Sequence, residues 1–348
     1  VQTCALPILP EGYEVIFTAD KTVINRVDGD IQTRTEIIVT SGENAEIRRV
    51  ELKNTGENSC DFEITSFYEV VMAPQKSDEA HPAFSNLFVE TEYHDQFKAL
   101  LAHRRPRSEM ESDLWIAHMA ILDGQLIGDI EYETDRMQFI GRGRTVSNPF
   151  AISRERSLSN TVGNVLDPIF SLRLKINILP NHARRISFVT MVANSKERII
   201  EMISKYSSLE NCNAAFWLAV IRSQIETKYL NIKAHEMELY QEMISDILFL
   251  SPLRQKHAAI IAENRKNQSA LWAHGISGDR PIVLVKIRNA QDSEMIYNLL
   301  KAHEYWHLKD LRVDLIILAM ETYSYSNPVF GLINDIVESS QESQPRSR

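Results

Sequence analysis

Cysteine is scarce in this chain, and its spacing argues against two kinds of site. The 348 residues contain three cysteines, Cys4, Cys60 and Cys212. They lie far apart, and no CxxC or Cys/His pair has zinc-ligand spacing. We therefore expect neither a disulfide framework nor a metal site, and a reducing compartment fits best. No cofactor is expected either.

Long hydrophobic runs are also missing. No apolar stretch approaches the ~18 residues that a membrane span requires, and the first eight residues lack the basic flank of a signal peptide. The formal net charge is −9, which disfavours nucleic acid and anionic membranes as partners. We expect a cytoplasmic protein without a nucleic-acid partner.

Motifs for nucleotide binding and nucleophilic catalysis are absent from the sequence. No G-x-G-x-x-G or G-x-x-x-x-G-K-S/T sequence follows a predicted strand. Ser147, Ser153 and Ser277 lack the context of a nucleophile elbow. The residues by themselves therefore predict no self-contained active site.

What the chain does contain is a change of pattern near Ala193. Before it, apolar and polar residues alternate, most clearly over 62–70, 172–178 and 186–192. Turn signals such as Asp28-Gly29-Asp30 separate these runs. Many short strands with one polar face predict antiparallel sheets packed as a sandwich.

From Lys196 onward the apolar residues recur at helical spacing. Asn194-Ser195 predicts an N-cap, and Ser251-Pro252 predicts the end of a third helix. Three sets of residues each share one helical face: Ile199, Ile200, Ile203 and Tyr206; Leu218, Ile221 and Ile225; and Leu239, Met243, Ile247 and Leu250.

Four segments combine rare residues at high density and are candidates for binding. The first, 81–92, presents His81 and carboxylates, or is a structural loop with Phe84 and Phe88 as core plugs. The arginine clusters at 103–107 and 139–144 offer guanidinium groups to phosphate or carboxylate, or form salt bridges with Glu109, Glu111 and Asp135. The candidate ligands in the latter cluster are Arg142 and Arg144.

The fourth segment runs from Trp272 to Pro281. Trp272 offers a flat face of the kind that stacks on a sugar ring, and His274 and Asp279 could bond to hydroxyl groups. The alternative is a tight turn at Gly275 and Gly278, with Asp279 capping backbone amides and Trp272 in the core.

Taken together and in order, these segments resemble one family. They read HPAFSNLFVETEY at 81–93, RRPR at 104–107, RMQFIGRGR at 136–144, VLDPIFSLR at 165–173 and LWAHGISGDRPI at 271–282. The sequence resembles glycoside hydrolase family 94, formerly glycosyltransferase family 36, and within it the branch acting on β-1,2-glucans. That branch contains 1,2-β-oligoglucan phosphorylases and the C-terminal module of cyclic β-1,2-glucan synthases.

The resemblance implies a multi-domain β + α protein. Its parts would be an antiparallel β-sandwich (supersandwich) over 11–194, a helical linker over 195–266 and the start of a truncated (α/α)6 barrel over 267–337. Residues 1–10 are interpreted as an artefact or disordered edge, and 338–348 as a disordered tail. Family members pair through the sandwich, so a homodimer is also implied.

The implied reaction is inverting phosphorolysis, with inorganic phosphate as co-substrate and a β-glucan oligosaccharide as partner. In the family a single Asp acid protonates the glycosidic oxygen, within a Trp-Asn-Asp-Gly-like sequence. No such sequence occurs here, so we assign no catalytic residue and expect this chain to be inactive alone. The competing hypothesis is a non-catalytic carbohydrate-binding or scaffolding module, with Trp115 or Trp272 stacking on glucan.

Overall fold

The structure is a computed structural model that describes residues 10–106, 113–153, 156–320 and 328–340. The chain divides into two compact units, 1–222 and 223–348. The division falls inside a long helix, whereas the sequence placed domain boundaries after 194 and 266. Most of the predicted N-terminal edge and C-terminal tail lies outside the described residues.

The first unit is built on a nine-stranded antiparallel sheet. Its strand order is β1-β2-β3-β4-β13-β9-β8-β7-β11. The predicted turn at Gly29 joins β2 to β3 with a positive φ of 55°. The strands are β1 Gly12–Phe17, β2 Thr22–Asp28, β3 Ile31–Val39, β4 Ala45–Asn54, β7 Val89–His94, β8 Ala99–Arg104, β9 Leu114–Asp123, β11 Gly163–Asn164 and β13 Ala183–Ala193.

A smaller sheet packs on one face of the large one and completes a sandwich. It has the order β10-β12-β5, and β6 also pairs with β12. Between the sheets lies a core that includes Leu52, Leu100 and Phe188 from the large sheet and Leu172 and Ile176 from β12. The predicted antiparallel sandwich is thereby confirmed. The strands are β5 Cys60–Thr65, β6 Tyr68–Glu69, β10 Glu131–Asp135 and β12 Pro168–Ile178.

Two helices cover the other face of the large sheet. They are α4, Lys196–Tyr206, and α5, Leu209–Tyr229. The Ser195 side chain accepts a hydrogen bond from the backbone N–H of Arg198, so the predicted N-cap is correct. The predicted core face of α4 is also correct, since Ile199, Ile203 and Tyr206 are buried against the sheet.

Helix α5 contains the predicted helical face, but that face is not the one that packs on the sheet. Leu218, Ile221 and Ile225 are exposed, and the helix packs through the opposite face. That buried face carries smaller residues, which let the helix approach the sheet closely; they are Cys212, Ala215 and Ala219, with Phe216 beside them.

A buried histidine lies in the inter-sheet core. His118 on β9 is bonded through Nε2 to Ser66 Oγ and through Nδ1 to Thr190 Oγ1, both at 2.9 Å. Its ring is stacked parallel to those of Phe170 and Phe188. Burial, and secondarily the charge of Arg48, lowers the pKa of His118 from 6.5 to about 3. The imidazole is therefore neutral and structural.

The second unit combines helices with a parallel pair of strands. Strands β14, Ile282–Ile287, and β15, Asp314–Ala319, pair in parallel and are joined by a helix, which makes a βαβ unit. The first barrel elements predicted for 267–337 are therefore not what these residues form. Helix α6 ends at Leu248, before the predicted break. The helices are α6 Ala234–Leu248, α7 Ala258–Glu263, α8 Ser293–Leu308 and α9 Pro328–Ser339.

Candidate functional site

Three of the segments singled out in the sequence meet at one end of the sandwich. Two of them contain short helices: α2 Pro82–Asn86, which follows α1 Gln75–Ala80, and α3 Arg136–Ile140. The third, 165–173, is the loop before β12 and the start of that strand. Asn86 Nδ2 donates to Asp167 Oδ1 over 3.3 Å. Arg136 Nε lies 2.9 Å from Glu69 Oε1 and 3.7 Å from Asp167 Oδ2. Asp167, in the loop before β12, thus contacts both other segments.

Asp167 is held in an environment that disfavours its charged form. Burial raises its pKa; the charge of Arg136 opposes this, and Glu69 and Asp135 add to the increase. A carboxyl group with a raised pKa in a surface cluster is a common property of functional sites. Because Asn86 and Arg136 engage its two oxygens, we interpret Asp167 as a residue that positions the surrounding segments.

Helix α3 begins at a side-chain cap and ends at a glycine. Asp135 Oδ1 accepts from the backbone N–H groups of Met137 and Gln138, which fixes the first turn. Gly141 has φ 84°, and a Cβ there would lie 2.7 Å from Phe150 Cβ. Only glycine fits this close approach without displacing Phe150. Asp135 is thus the N-cap of α3 and does not form the predicted salt bridge with an arginine.

An open cavity of about 670 Å³ follows the end of α3. Arg144 Nη1 donates to Ser153 Oγ over 3.1 Å, and its guanidinium lies 5.2 Å from the centre of the Phe150 ring. Arg142 lies on the same wall. The site therefore offers guanidinium donors beside apolar surface. Its lining residues are Met137, Gln138, Gly141, Arg142, Arg144 and Phe150.

The loop that forms this cavity is anchored from beneath by charged residues that the sequence did not single out. Arg173 on β12 is buried, and its guanidinium donates to the carbonyl oxygens of Ala151 and Arg156. Buried Glu133 on β10 accepts from the hydroxyl of Ser159. In the sequence Arg173 falls on the polar side of the alternation over 172–178, and in the structure the loop covers that side.

The remaining candidates of the first unit are not gathered at this cavity. His81 is exposed at the junction of α1 and α2, and Phe84 is 48% exposed, so it is not a core plug. Trp115 is buried, with His103 stacked on its ring at 4.3 Å between centres. Its face is covered, so the hypothesis that Trp115 stacks on glucan is wrong. Arg107, Glu109 and Glu111 lie outside the described residues.

The fourth segment lies in the second unit and forms a 3-10 helix, Gln268–His274, followed by a turn. Trp272 is 65% exposed, which contradicts its placement in the core. Its Nε1 donates to the carbonyl oxygen of Ser277 over 3.2 Å. Gln268 Nε2 donates to Ser277 O and to Asp279 Oδ1, both over 2.9 Å. Asp279 is thus held by a side chain, and His274 remains exposed beside it.

No metal site is evident at either place. The residues described by the structure contain no group of three or more His, Cys, Asp or Glu side chains placed to hold an ion. Within the same residues, no helix combines the length and apolar character needed to cross a membrane.

Comparison with known proteins gives the family. The family model of the glycosyl hydrolase 94 supersandwich domain matches residues 2–209. The chain is 30% identical over 322 residues to the cyclic beta-(1,2)-glucan synthase NdvB of Rhizobium meliloti (strain 1021). The match covers 92% of this chain but 11% of that protein, so the chain spans only a small part of its relative.

Solved structures resemble the chain weakly. A putative kojibiose phosphorylase from human microbiome gives a TM-score of 0.36 at 6% identity, over 64% of this chain and 25% of that one. A polysaccharide lyase gives a TM-score of 0.33 at 12% identity, over 56% and 24%. Neither likeness is strong enough to support a conclusion about function.

Proposed function

This chain belongs to the glycosyl hydrolase 94 family, and from that premise we propose that it holds and shapes β-1,2-glucan for a carbohydrate-active enzyme. The observation that carries the proposal is the convergence of segments 81–86 and 136–144 with Asp167 at one end of the sandwich. These are segments that resemble the family in sequence, and they meet next to an open cavity of about 670 Å³.

The chemistry of the cavity fits a neutral saccharide. Arginine side chains carry five N–H donors, which can bond to the hydroxyl and ring oxygens of a sugar as well as to phosphate or carboxylate. The exposed apolar side chain of Met137 suits the C–H face of the ring. Because Arg144 is already held by Ser153 and Phe150, it loses little freedom on binding.

We propose that the whole protein carries out either of two related reactions. In phosphorolysis, phosphate attacks the anomeric carbon while an acid protonates the leaving glycosidic oxygen, which releases glucose 1-phosphate. In the alternative, the same chemistry serves glucan synthesis, as the name of the relative suggests. The acid, and the (α/α)6 barrel that would carry it, are proposed to belong to other parts of the whole protein.

An activity assay tests the first part of this proposal. The 348-residue chain is incubated with β-1,2-linked glucose oligosaccharides and inorganic phosphate, and glucose 1-phosphate is measured. We expect no release above a blank without protein. Phosphate-dependent turnover would show that the chain contains its own acid and would overturn the assignment.

A binding experiment tests the second part. β-1,2-linked oligosaccharides are titrated into the chain while the amide signals of 137–150 are followed by NMR. We expect Arg142→Ala and Arg144→Ala each to weaken binding about 5- to 10-fold, as the loss of one net hydrogen bond implies. Arg34→Ala, an exposed arginine on β3, serves as the matched control and should bind normally. Unchanged affinity in both cavity variants would contradict the proposed site.

The second candidate function, a non-catalytic carbohydrate-binding module, is favoured by the exposed face of Trp272. Its turn is fixed by Gln268, so the indole is presented in one orientation. On this hypothesis Trp272→Ala abolishes glucan-dependent changes in fluorescence, with smaller losses for His274→Ala and Asp279→Ala. Trp217→Ala is the control, since that tryptophan is 70% exposed on α5. Equal effects of the two tryptophan variants would reject the hypothesis of a carbohydrate-binding site at Trp272.

Location and pairing are proposed by analogy with the family. We propose a cytoplasmic location, or the cytoplasmic face of the inner membrane for a synthase, and a homodimer that forms through the sandwich. Light scattering after size-exclusion chromatography distinguishes a dimer from a monomer, and a monomer at micromolar concentration would count against pairing.

A further inference from the structure

The parallel strand pair of the second unit has an edge with no partner. Strands β14 and β15 are paired from Ile282 with Asp314 to Ile287 with Ala319. Among the residues that the structure describes, neither strand has a second neighbour. Purely parallel sheets are normally larger and covered on both faces, and a two-stranded sheet is marginal by itself.

The hydrogen bonds at the two ends of β15 show which backbone groups point outward. Asp314 N donates to Pro281 O over 2.9 Å, and Met320 N donates to Ile287 O over 2.8 Å. Alternate residues of a strand face the same neighbour, so the even-numbered residues face β14. Leu315, Ile317 and Ala319 therefore direct their N–H and C=O groups to the outer edge of β15.

The two faces of the strand pair differ in burial: one is covered by helices and the other exposes apolar side chains. On one face, Val285 and Ile287 pack with residues of α8 and α9 in a single apolar core. On the other face, Ile282, Leu284 and Leu318 are between 38% and 53% exposed. Exposed apolar surface on a parallel sheet indicates that further structure covers it.

The position of the helices predicts where the next strand lies. Helices α8 and α9 pack on the same face of the pair, since Ile296, Leu300, Ile333 and Ile336 share that core. Connections between parallel strands are right-handed in about 98% of cases. Two successive right-handed connections on one face advance in one direction, so the strand after α9 adds to the outer edge of β15, not to β14.

We propose that the outer edge of β15 binds a third parallel β-strand, apolar on both faces, from another part of the whole protein. The matched relative supplies the length, because this chain spans 11% of it. Strand addition satisfies the outward groups of Leu315, Ile317 and Ala319 and extends the apolar face beside Leu318. The inference concerns the second unit and is independent of the proposed glucan site.

Hydrogen exchange with residue resolution tests the proposal. In the 348-residue chain at low concentration, we expect the amides of 315, 317 and 319 to exchange fast and those of 316, 318 and 320 to be protected. In the whole protein, all six should be protected, with the odd-numbered amides slowed about 100-fold or more. Odd-numbered amides that stay fast in the whole protein would overturn the proposal.

Two other outcomes are also decisive. Protection of the odd-numbered amides in the dilute chain would show that the edge is already covered. Protection that rises with concentration would assign the edge to a second copy. Either result overturns the proposal.

A pair of proline variants in the whole protein separates the two edges of β15. Ala319→Pro removes an outward N–H and should speed exchange at 315 and 317 about 10-fold, while the amides of 283, 285 and 287, which face β15, stay protected. Met320→Pro removes the N–H bonded to Ile287 and should instead speed exchange at 283, 285 and 287 of β14. Identical exchange patterns in the two variants would contradict the assignment of the outer edge.

Discussion

Acid should destabilise the first unit through a single buried side chain. His118 is neutral in the folded state, where its pKa is about 3, against an ordinary value of 6.5. In the unfolded chain the imidazole takes up a proton as the pH falls through 6.5. The folded state binds that proton only near pH 3. The stabilising effect is therefore complete above about pH 6.5 and is lost progressively as the pH falls toward 3.

The size of the effect follows from the two pKa values. Each pKa unit corresponds to about 1.4 kcal/mol, so the full difference is about 5 kcal/mol. Most carboxyl groups titrate below pH 5, which makes the interval from pH 7.5 to 5 the informative one. Over that interval His118 should reduce the free energy of unfolding by about 2 kcal/mol.

The measurement is urea unfolding between pH 7.5 and 5, with exchange of peptides from β9 and β13 as the probe of the first unit. His118→Gln keeps a polar side chain that does not titrate. It should lower stability at pH 7.5, because one of the two hydrogen bonds to Ser66 and Thr190 is lost. Its stability should then fall by about 2 kcal/mol less than that of the unchanged chain on going to pH 5.

The control is His182→Gln, which replaces an exposed histidine of the same unit. This variant should not show the smaller loss of stability that is expected of His118→Gln. If His118→Gln and the unchanged chain lose the same stability between pH 7.5 and 5, the imidazole does not remain neutral on folding and the reasoning fails.

Two further changes test the supports of the site, and a third tests the contact between α4 and the large sheet. Arg173→Met should lower the free energy of unfolding by about 3 kcal/mol, because two loop carbonyls lose a buried donor. The control Lys175→Met, at a partly exposed position, should lower it by less than about 1 kcal/mol. Both values are measured by urea unfolding. Gly141→Ala should cost about 1–2 kcal/mol and displace Phe150, as seen by NMR. Glu43, between β3 and β4, accepts hydrogen bonds from Lys205 and Tyr206 of α4. Burial alone would raise its pKa, but these hydrogen bonds outweigh burial and lower it, so Glu43→Gln should cost about 1–3 kcal/mol in urea unfolding above pH 4.5 and less in acid.

The sandwich could be predicted because its signal is local. The alternation over 172–178 survives in β12, whose apolar residues line the inter-sheet core. The burial of Arg173 by a loop could not be predicted from local alternation. It comes from a loop near residue 150 that is distant in sequence, and an alternating pattern does not say whether the polar face of a strand meets water or another segment.

The packing face of α5 could not be predicted for a different reason. The helix carries apolar residues on more than one side, so the spacing of Leu218, Ile221 and Ile225 was a real helical face. The helix packs through the side that carries Ala215 and Ala219, because small side chains permit close contact with a flat sheet. Spacing alone does not rank two faces that are both apolar.

In the second unit, the local sequence pattern predicts the observed structure better than the family resemblance does. Two six-residue, mostly apolar segments flank a sixteen-residue helix, the pattern typical of a βαβ unit. In open α/β sheets, ligands bind outside the carboxyl ends of the strands. The turn of Trp272 and Asp279 directly precedes β14 and so lies at its amino end. This rule therefore gives no support to a sugar site at Trp272, which rests on the exposure and fixed orientation of the indole alone.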